Sequence, residues 1–231
     1  MRKISRRHKK NQEKTKKIVF SNLEQAIIRL QETATAKFIE AVELHANLNI
    51  DPKYSNQQLR STVTLPHGIG KSIKIAVLTS EINSKQALNA GADIIGNDSL
   101  IQQISQGDIK FDLLIATPEM MPKLANLGRI LGPKGLMPSP KAGTVTTTLI
   151  QTVKDFKRGK FEYKTDKAGV LHVNFGKSNF TKQQLLENLI GLYQSIEKNR
   201  PIGIKGKYFK SIFICTSMGP SIQLNLNAFD S

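Results

Sequence analysis

A chain of 231 residues that is 39% hydrophobic has enough apolar material for one large packed core or two small ones, so it should fold as a globular protein. Its 34 lysines and arginines against 18 acids leave a net charge of +16 and a pI near 9.9, which points to a polyanionic partner: nucleic acid first, an anionic membrane surface second. No run approaches the roughly 18 consecutive apolar residues of a spanning helix, and no apolar core of a secretory signal opens the chain, so a soluble protein that is not exported is expected.

Taken in order, residues 1–17, "MRKISRRHKKNQEKTKK", hold nine basic residues and one acid without the Ser-rich pattern of a transit peptide, and read as a nucleic-acid-binding arm. In "SNLEQAIIRL" a capping box of Ser21 and Glu24 precedes Leu23, Ala26, Ile27 and Leu30 at helical spacing. "KFIEAVELHANL" places Phe38, Val42, Leu44, Ala46 and Leu48 on one side of a strand, with Glu40 as the exception, and "RSTVTLP" is a second β-rich run. The middle changes character. "SIKIAVLT", "ADIIG" and "FDLLIAT" are short apolar runs separated by the helix-like "NSKQALNAGA" and "SLIQQISQG", the pattern of parallel βαβ units. After it come hairpin-like strands in "KFEYKTDKAGVLHVNFG", a helix capped by Thr181 and Gln184, and two β-runs around a Gly-Pro turn.

Charge follows the same division. Residues 18–65 carry four basic and five acidic side chains, 66–156 nine and seven, and 157–231 twelve and five, so the positive charge lies at the two ends of the chain. The ends are therefore expected to form one basic α+β domain, an antiparallel-rich sheet with helices on one face, made of 1–66 and 159–231. An α/β Rossmann-like domain over 67–158 is inserted into it. Glycines mark the switches near 66–71 and 157–160, and Gly68, Gly70 and Gly159 are the expected hinges.

Catalytic signals are weak. "GIGKS" resembles the end of a phosphate-binding loop, but Leu65 stands where the first glycine is required and a β-run follows, so no helix N-terminus would face a phosphate. A nucleotide-binding enzyme is kept only as the alternative. The four histidines are isolated in sequence and Cys215 is the single cysteine, so no metal site, no disulfide and no cofactor are expected; His45 and His172 read as sheet-surface residues and Cys215 as a small hydrophobe. In "KRGKFEYK" and "KGKYFK" basic and aromatic residues interleave, which suits RNA and equally suits core rings beside solvated lysines; the surplus of charge there favours RNA. "GRILGPKGLMPSPKAGTV" presents Arg129, Lys134 and Lys141 on a frame stiffened by Pro133, Pro138 and Pro140, or simply covers the βαβ sheet. Frequent Asn, Ile and Lys without Trp suit an AT-rich genome such as a plastid's.

With these motifs in place, the chain resembles the universal ribosomal protein L-one family, of bacterial and plastid type. "LGRILGPKGLMPSPKAGTVT", "TAKFIE", "LPHGIGK", "FDLLIATPEMM", "TDKAGVLH" and "TSMGP" fall in that family's order along essentially the whole chain. The resemblance implies a protein of the large ribosomal subunit that binds large-subunit rRNA at the mobile lateral stalk and helps deacylated tRNA leave the exit site. It extends to repression of its own mRNA and to a monomer off the ribosome, with no membrane partner, in a plastid stroma or a bacterial cytoplasm. The rRNA contacts it implies are Lys37, Phe38, Lys164, His172, Thr216, Ser217, Met218 and Gly219, with Phe38 and Met218 as an apolar platform. Thr165 and Ser217 depart from the family's usual Asn and Thr. Arg129, Lys134 and Lys141 are left as a secondary edge facing tRNA or nearby rRNA.

Overall fold

In the computed structural model, residues 5–15, 19–54, 56–80, 84, 87–201, 203–204 and 206–229 are described. They divide into two compact units, one from Met1–Gly70 with Tyr163–Ser231, the other Lys71–Glu162. The ends of the basic arm, 1–4 and 16–17, and part of the helix expected over 83–92 lie outside the described residues.

The first unit is built on a five-stranded sheet ordered β1-β10-β9-β2-β8, from β1 (Val19–Phe20), β2 (Ala41–Leu48), β8 (Val170–Lys177), β9 (Phe209–Thr216) and β10 (Ile222–Leu224). All neighbours are antiparallel except β1 and β10. Side chains alternate across a strand, and β2 shows it directly: Val42, Leu44, Ala46 and Leu48 are buried, while Ala41, Glu43, His45 and Asn47 are only half-buried. Helix α2 (Leu23–Thr33) packs on β9, β10 and α7 (Lys182–Lys198), and α7 packs on β8. Leu30 and Ile27 of α2 and Leu185, Leu189, Leu192 and Ile196 of α7 are buried, so both helices supply apolar faces to a core on one side of the sheet. The other side, which carries the half-buried residues of β2, is the open face among the described residues.

Helix starts test the expected caps. Thr181 accepts from Gln184 N–H, and the Gln184 side chain accepts from the Thr181 N–H, the full capping box. For α2 the cap is Asn22 and not Ser21: the Asn22 side chain accepts from Glu24 and Gln25 N–H. Asn is at least as good a cap as Ser, and starting one residue later buries Leu23. Part of the arm is helical, as α1 (Arg6–Thr15), with Asn11 Nδ2 donating to Thr33 O at 2.9 Å and Thr35 Oγ1 at 3.0 Å.

The expected hairpin is only half a hairpin. Asp166 accepts at Oδ1 from Ala168 and Val170 N–H, closing a turn with one bridge between Thr165 and Leu171. Beyond it the strands part: β7 (Lys160–Lys164) joins β3 (Arg60–Thr64) in a separate two-stranded sheet, and β8 joins β2. Tyr163, Tyr208 and Phe209 are buried. Tyr163 OH donates to Ser195 O at 3.1 Å, and Tyr193 stacks on Phe209 at 4.9 Å between ring centroids. These rings are core residues, which removes the base-stacking role that the basic–aromatic interleaving suggested for them.

The second unit has three parallel strands in the order β5-β4-β6: β4 (Ile75–Leu78), β5 (Ile94–Gly96) and β6 (Leu113–Ala116). All four residues of β4 are buried, as expected of a central parallel strand covered on both faces. One face packs on Leu100 and Ile104 of α3 (Asp98–Ser105), Leu124 of α4 (Met121–Ala125) and Leu131 of α5 (Gly128–Leu131). The other packs on Ala87, Ala90 and, from α6 (Leu149–Lys157), Leu149, Val153 and Phe156. No helix follows "GIGKS" directly, since residues 71–74 have no regular structure and lead into β4. Among the described residues no helix is long and apolar enough to cross a membrane.

Candidate nucleic-acid interface

Two loops of the first unit come together through one buried carboxylate. The burial alternation of β2 continues backwards to Glu40, which is 1% exposed, so Glu40 keeps the inward parity and Phe38, not Glu40, is the exception. A buried carboxylate must be hydrogen-bonded. Its Oε1 accepts from Ala36 N–H and its Oε2 from Met218 N–H, both at 2.9 Å. Ala41 and Ser217 exchange two more bonds: Ala41 N–H donates to Ser217 Oγ, and Ser217 N–H to Ala41 O, each at 3.1 Å.

These bonds hold the segment 36–39 beside the turn 217–219, and both loops present apolar groups outward. Phe38 is 56% exposed and Met218 49%, with Lys37 and Ser217 also exposed. Exposed apolar side chains carried on adjoining loops are the kind of feature that marks an interaction site where they form one patch. Thr216 stands apart from its neighbours. It is buried, its hydroxyl has no hydrogen-bond partner among the described residues, and a Cβ on Gly219 would collide with that hydroxyl, so Thr216 lies beneath the turn and Gly219 permits the close approach.

Lys164 is exposed at the end of β7 and lines a hollow with Lys53, Arg60, Asp166 and Lys167. His172, also exposed, lies on the open face of the sheet, where pairing of β2 with both β8 and β9 sets it opposite His45. The two Nδ1 atoms are 2.7 Å apart, and the other ring nitrogen of His45 is 3.1 Å from Cys215 Sγ and 3.7 Å from Glu43 Oε2. His172 Nε2 is 3.7 Å from Asp166 Oδ2. Burial and then the neighbouring His172 push the His45 pKa down. Burial, aided by Glu43, pushes the Cys215 thiol up to about 11. Asp166 is held below the usual carboxylate range, first by the Val170 N–H. Sequence spacing suggested isolated histidines; the sheet gathers two of them with the cysteine, because residues 127 and 170 positions apart become cross-strand neighbours.

The remaining residues are spread over the chain. Arg129 lies on α5, Lys134 in the turn after it and Lys141 in a 3₁₀ turn over Pro140–Ala142, all exposed. The segment that carries them buries Leu131 and Ala142 and is pinned by Thr144, whose hydroxyl accepts from Ser139 N–H at 2.8 Å. It therefore covers the parallel sheet while displaying three cations. Gly68, Gly70 and Gly159 all have positive φ, the conformation glycine adopts without strain. Asn188, missed by sequence reasoning, fixes the first of these crossings: buried on α7, it accepts from His67 N–H at 3.1 Å and donates to Gly68 O at 2.9 Å and Phe175 O at 2.8 Å.

Residues 30–220 match the model of the Ribosomal protein L1p/L10e family. The Large ribosomal subunit protein uL1c of Trieres chinensis is 73% identical over 229 residues, covering 99% of this chain and 100% of that protein. The corresponding protein of Phaeodactylum tricornutum is 70% identical with the same coverage. The uL1 protein of Prochlorococcus marinus (strain MIT 9215) is 54% identical over 228 residues, 99% of this chain and 97% of its own. A match over most of the chain, with relatives aligned across both units, shows that the chain belongs to the ribosomal protein L1p/L10e family, whose members are structural ribosomal proteins and not enzymes.

Proposed function

We propose that the first unit anchors the protein to large-subunit rRNA at the lateral stalk, in ribosomes of plastid or bacterial type. The supporting observation is the pair of loops tied by Glu40, which holds Phe38 and Met218 outward on a basic unit. RNA, unlike an anionic membrane surface, offers flat base faces and 2′-hydroxyls beside its phosphates. Phe38 and Met218 meet the flat surfaces. Lys37 and Lys164 meet phosphate, Ser217, Gly219 and His172 offer hydrogen-bonding groups, and Thr216 supports the turn from below.

The second unit, on this reading, moves about Gly68, Gly70 and Gly159, and its Arg129, Lys134 and Lys141 face exit-site tRNA or adjacent rRNA as deacylated tRNA leaves. The protein's own mRNA is a second ligand if it carries the same RNA shape. Filter binding with a stalk rRNA fragment tests the anchor. Phe38→Ala and Met218→Ala are each expected to weaken binding at least tenfold without unfolding the protein, and log affinity should fall by roughly 0.7–0.9 per log unit of salt for each neutralised phosphate. Wild-type affinity in both variants would remove the platform.

A further inference from the structure

We propose that Glu43, His45 and Cys215 form a binding site for a zinc-type divalent metal ion on the open face of the five-stranded sheet. Their ligand atoms all lie within 4.8 Å of one another, and among the described residues this is the only such cluster of three or more. The fold makes it in two steps. Glu43 and His45, two apart on β2, share the open face, and Cys215 on β9 is the register partner of Glu43. In a tetrahedral zinc site with bonds of about 2.0–2.3 Å, neighbouring ligand atoms lie roughly 3.4–3.6 Å apart. Here the imidazole-to-thiol separation is 3.1 Å and the imidazole-to-carboxylate separation 3.7 Å. Small side-chain adjustments complete the site.

The surroundings favour the same nitrogen. His172 can accept a hydrogen bond at Nδ1 from His45 Nδ1–H while turning its own Nε2–H toward the Asp166 carboxylate. In that arrangement His45 Nε2 is bare and aimed at Cys215, the orientation that a hydrogen bond on the far side of a metal-bound imidazole enforces. The side chains of Glu43 and His45 are 39% and 25% exposed, so an ion can enter from solvent. One thiolate, one imidazole and one carboxylate select zinc over magnesium or calcium, which demand oxygen ligands. On binding, the Cys215 S–H bond breaks, the sulfur–metal bond forms, the proton leaves to solvent and a water fills the fourth position.

The full-length, reduced chain is titrated with Co2+, then with Zn2+ as competitor. The site predicts a stoichiometric near-ultraviolet thiolate-to-cobalt band that Zn2+ abolishes. Because Cys215 is the only cysteine, the band must vanish in Cys215→Ser. His45→Ala and the near-isosteric Glu43→Gln must each weaken Co2+ binding at least tenfold, with circular dichroism unchanged. Zn2+ should also slow alkylation of Cys215 in the wild type. Absence of the band at stoichiometric Co2+ overturns the site. A band with undiminished affinity in a folded Glu43→Gln or His45→Ala variant equally overturns it, since the thiol would then be binding alone.

Discussion

Glu40→Ala removes in one substitution both acceptors that join segment 36–39 to the turn 217–219. A hydrogen bond to a charged group contributes about 1.5–3 kcal/mol, and a donor left buried without a partner costs about the same. The Ala36 and Met218 N–H groups lie near the surface and can turn partly to water, so the lower end applies, and two such bonds give a loss of about 3 kcal/mol. Glu40→Gln keeps one acceptor and turns an amide NH2 toward the other donor, so about half that loss is expected. The assay is provided by the sequence. The chain has no Trp, and its four tyrosines, Tyr54, Tyr163, Tyr193 and Tyr208, all belong to the first unit. Tyrosine fluorescence in urea therefore reports the unfolding of that unit alone. Stalk-fragment affinity, measured where each variant is still folded, should fall at least tenfold for Glu40→Ala and less for Glu40→Gln. An alanine variant that loses stability yet binds RNA like the wild type would show that Glu40 is only a satisfied core group and does not hold the loops.

Asn188→Leu keeps the volume but strands His67 N–H, Gly68 O and Phe175 O. At about 1 kcal/mol for each lost bond, the tyrosine-reported urea transition should show a loss of about 3 kcal/mol, and a wild-type midpoint would refute the anchoring role. In the second unit, Asp93 has its pKa lowered, first by the hydrogen bond from Lys157 Nζ at 2.7 Å and then also by the Ile75 N–H. A depressed folded-state pKa means that the stabilisation is complete above the ordinary aspartate range and is lost as pH falls through the folded value. The β4 amide signals should therefore disappear at lower urea below pH about 4, and Asp93→Asn should flatten that dependence; an unchanged acid profile in the variant would contradict it.

Much of the fold is legible because local rules decide it. The period-two run 42–48, the Thr181 capping box and the alternation of short apolar runs with helices each need only neighbours in sequence. What was hidden depends on distant pairing. Glu40 looked like a break in the pattern because its partner, the Met218 N–H, lies 178 positions away. The only local sign is that 40, 42, 44, 46 and 48 share a parity, and the aromatic ring at 38 competes with Glu40 for the inward side. Tyr208 and Phe209 could not be placed from composition, since basic–aromatic runs look the same whether the ring faces the core or solvent. The meeting of His45, His172 and Cys215 is illegible for a third reason: spacing rules concern loops and single helices, and cross-strand neighbours in a sheet leave no spacing to read.

The placement of β2 has a consequence for how the chain is made. Its neighbours on both sides, β8 and β9, come from the last third of the sequence, so as the chain emerges from a translating ribosome β2 waits for more than a hundred residues before either partner exists. Everything that builds the second unit, 71–162, is released in the meantime. Loop-closure entropy delays non-local pairing, so the inserted unit completes first and shortens the distance that the open ends must span. The first unit thus matures last, closing only when Cys215 and Met218 have left the exit tunnel, and a stalled nascent chain ending before β9 should show a protease-resistant second unit on an unstructured first.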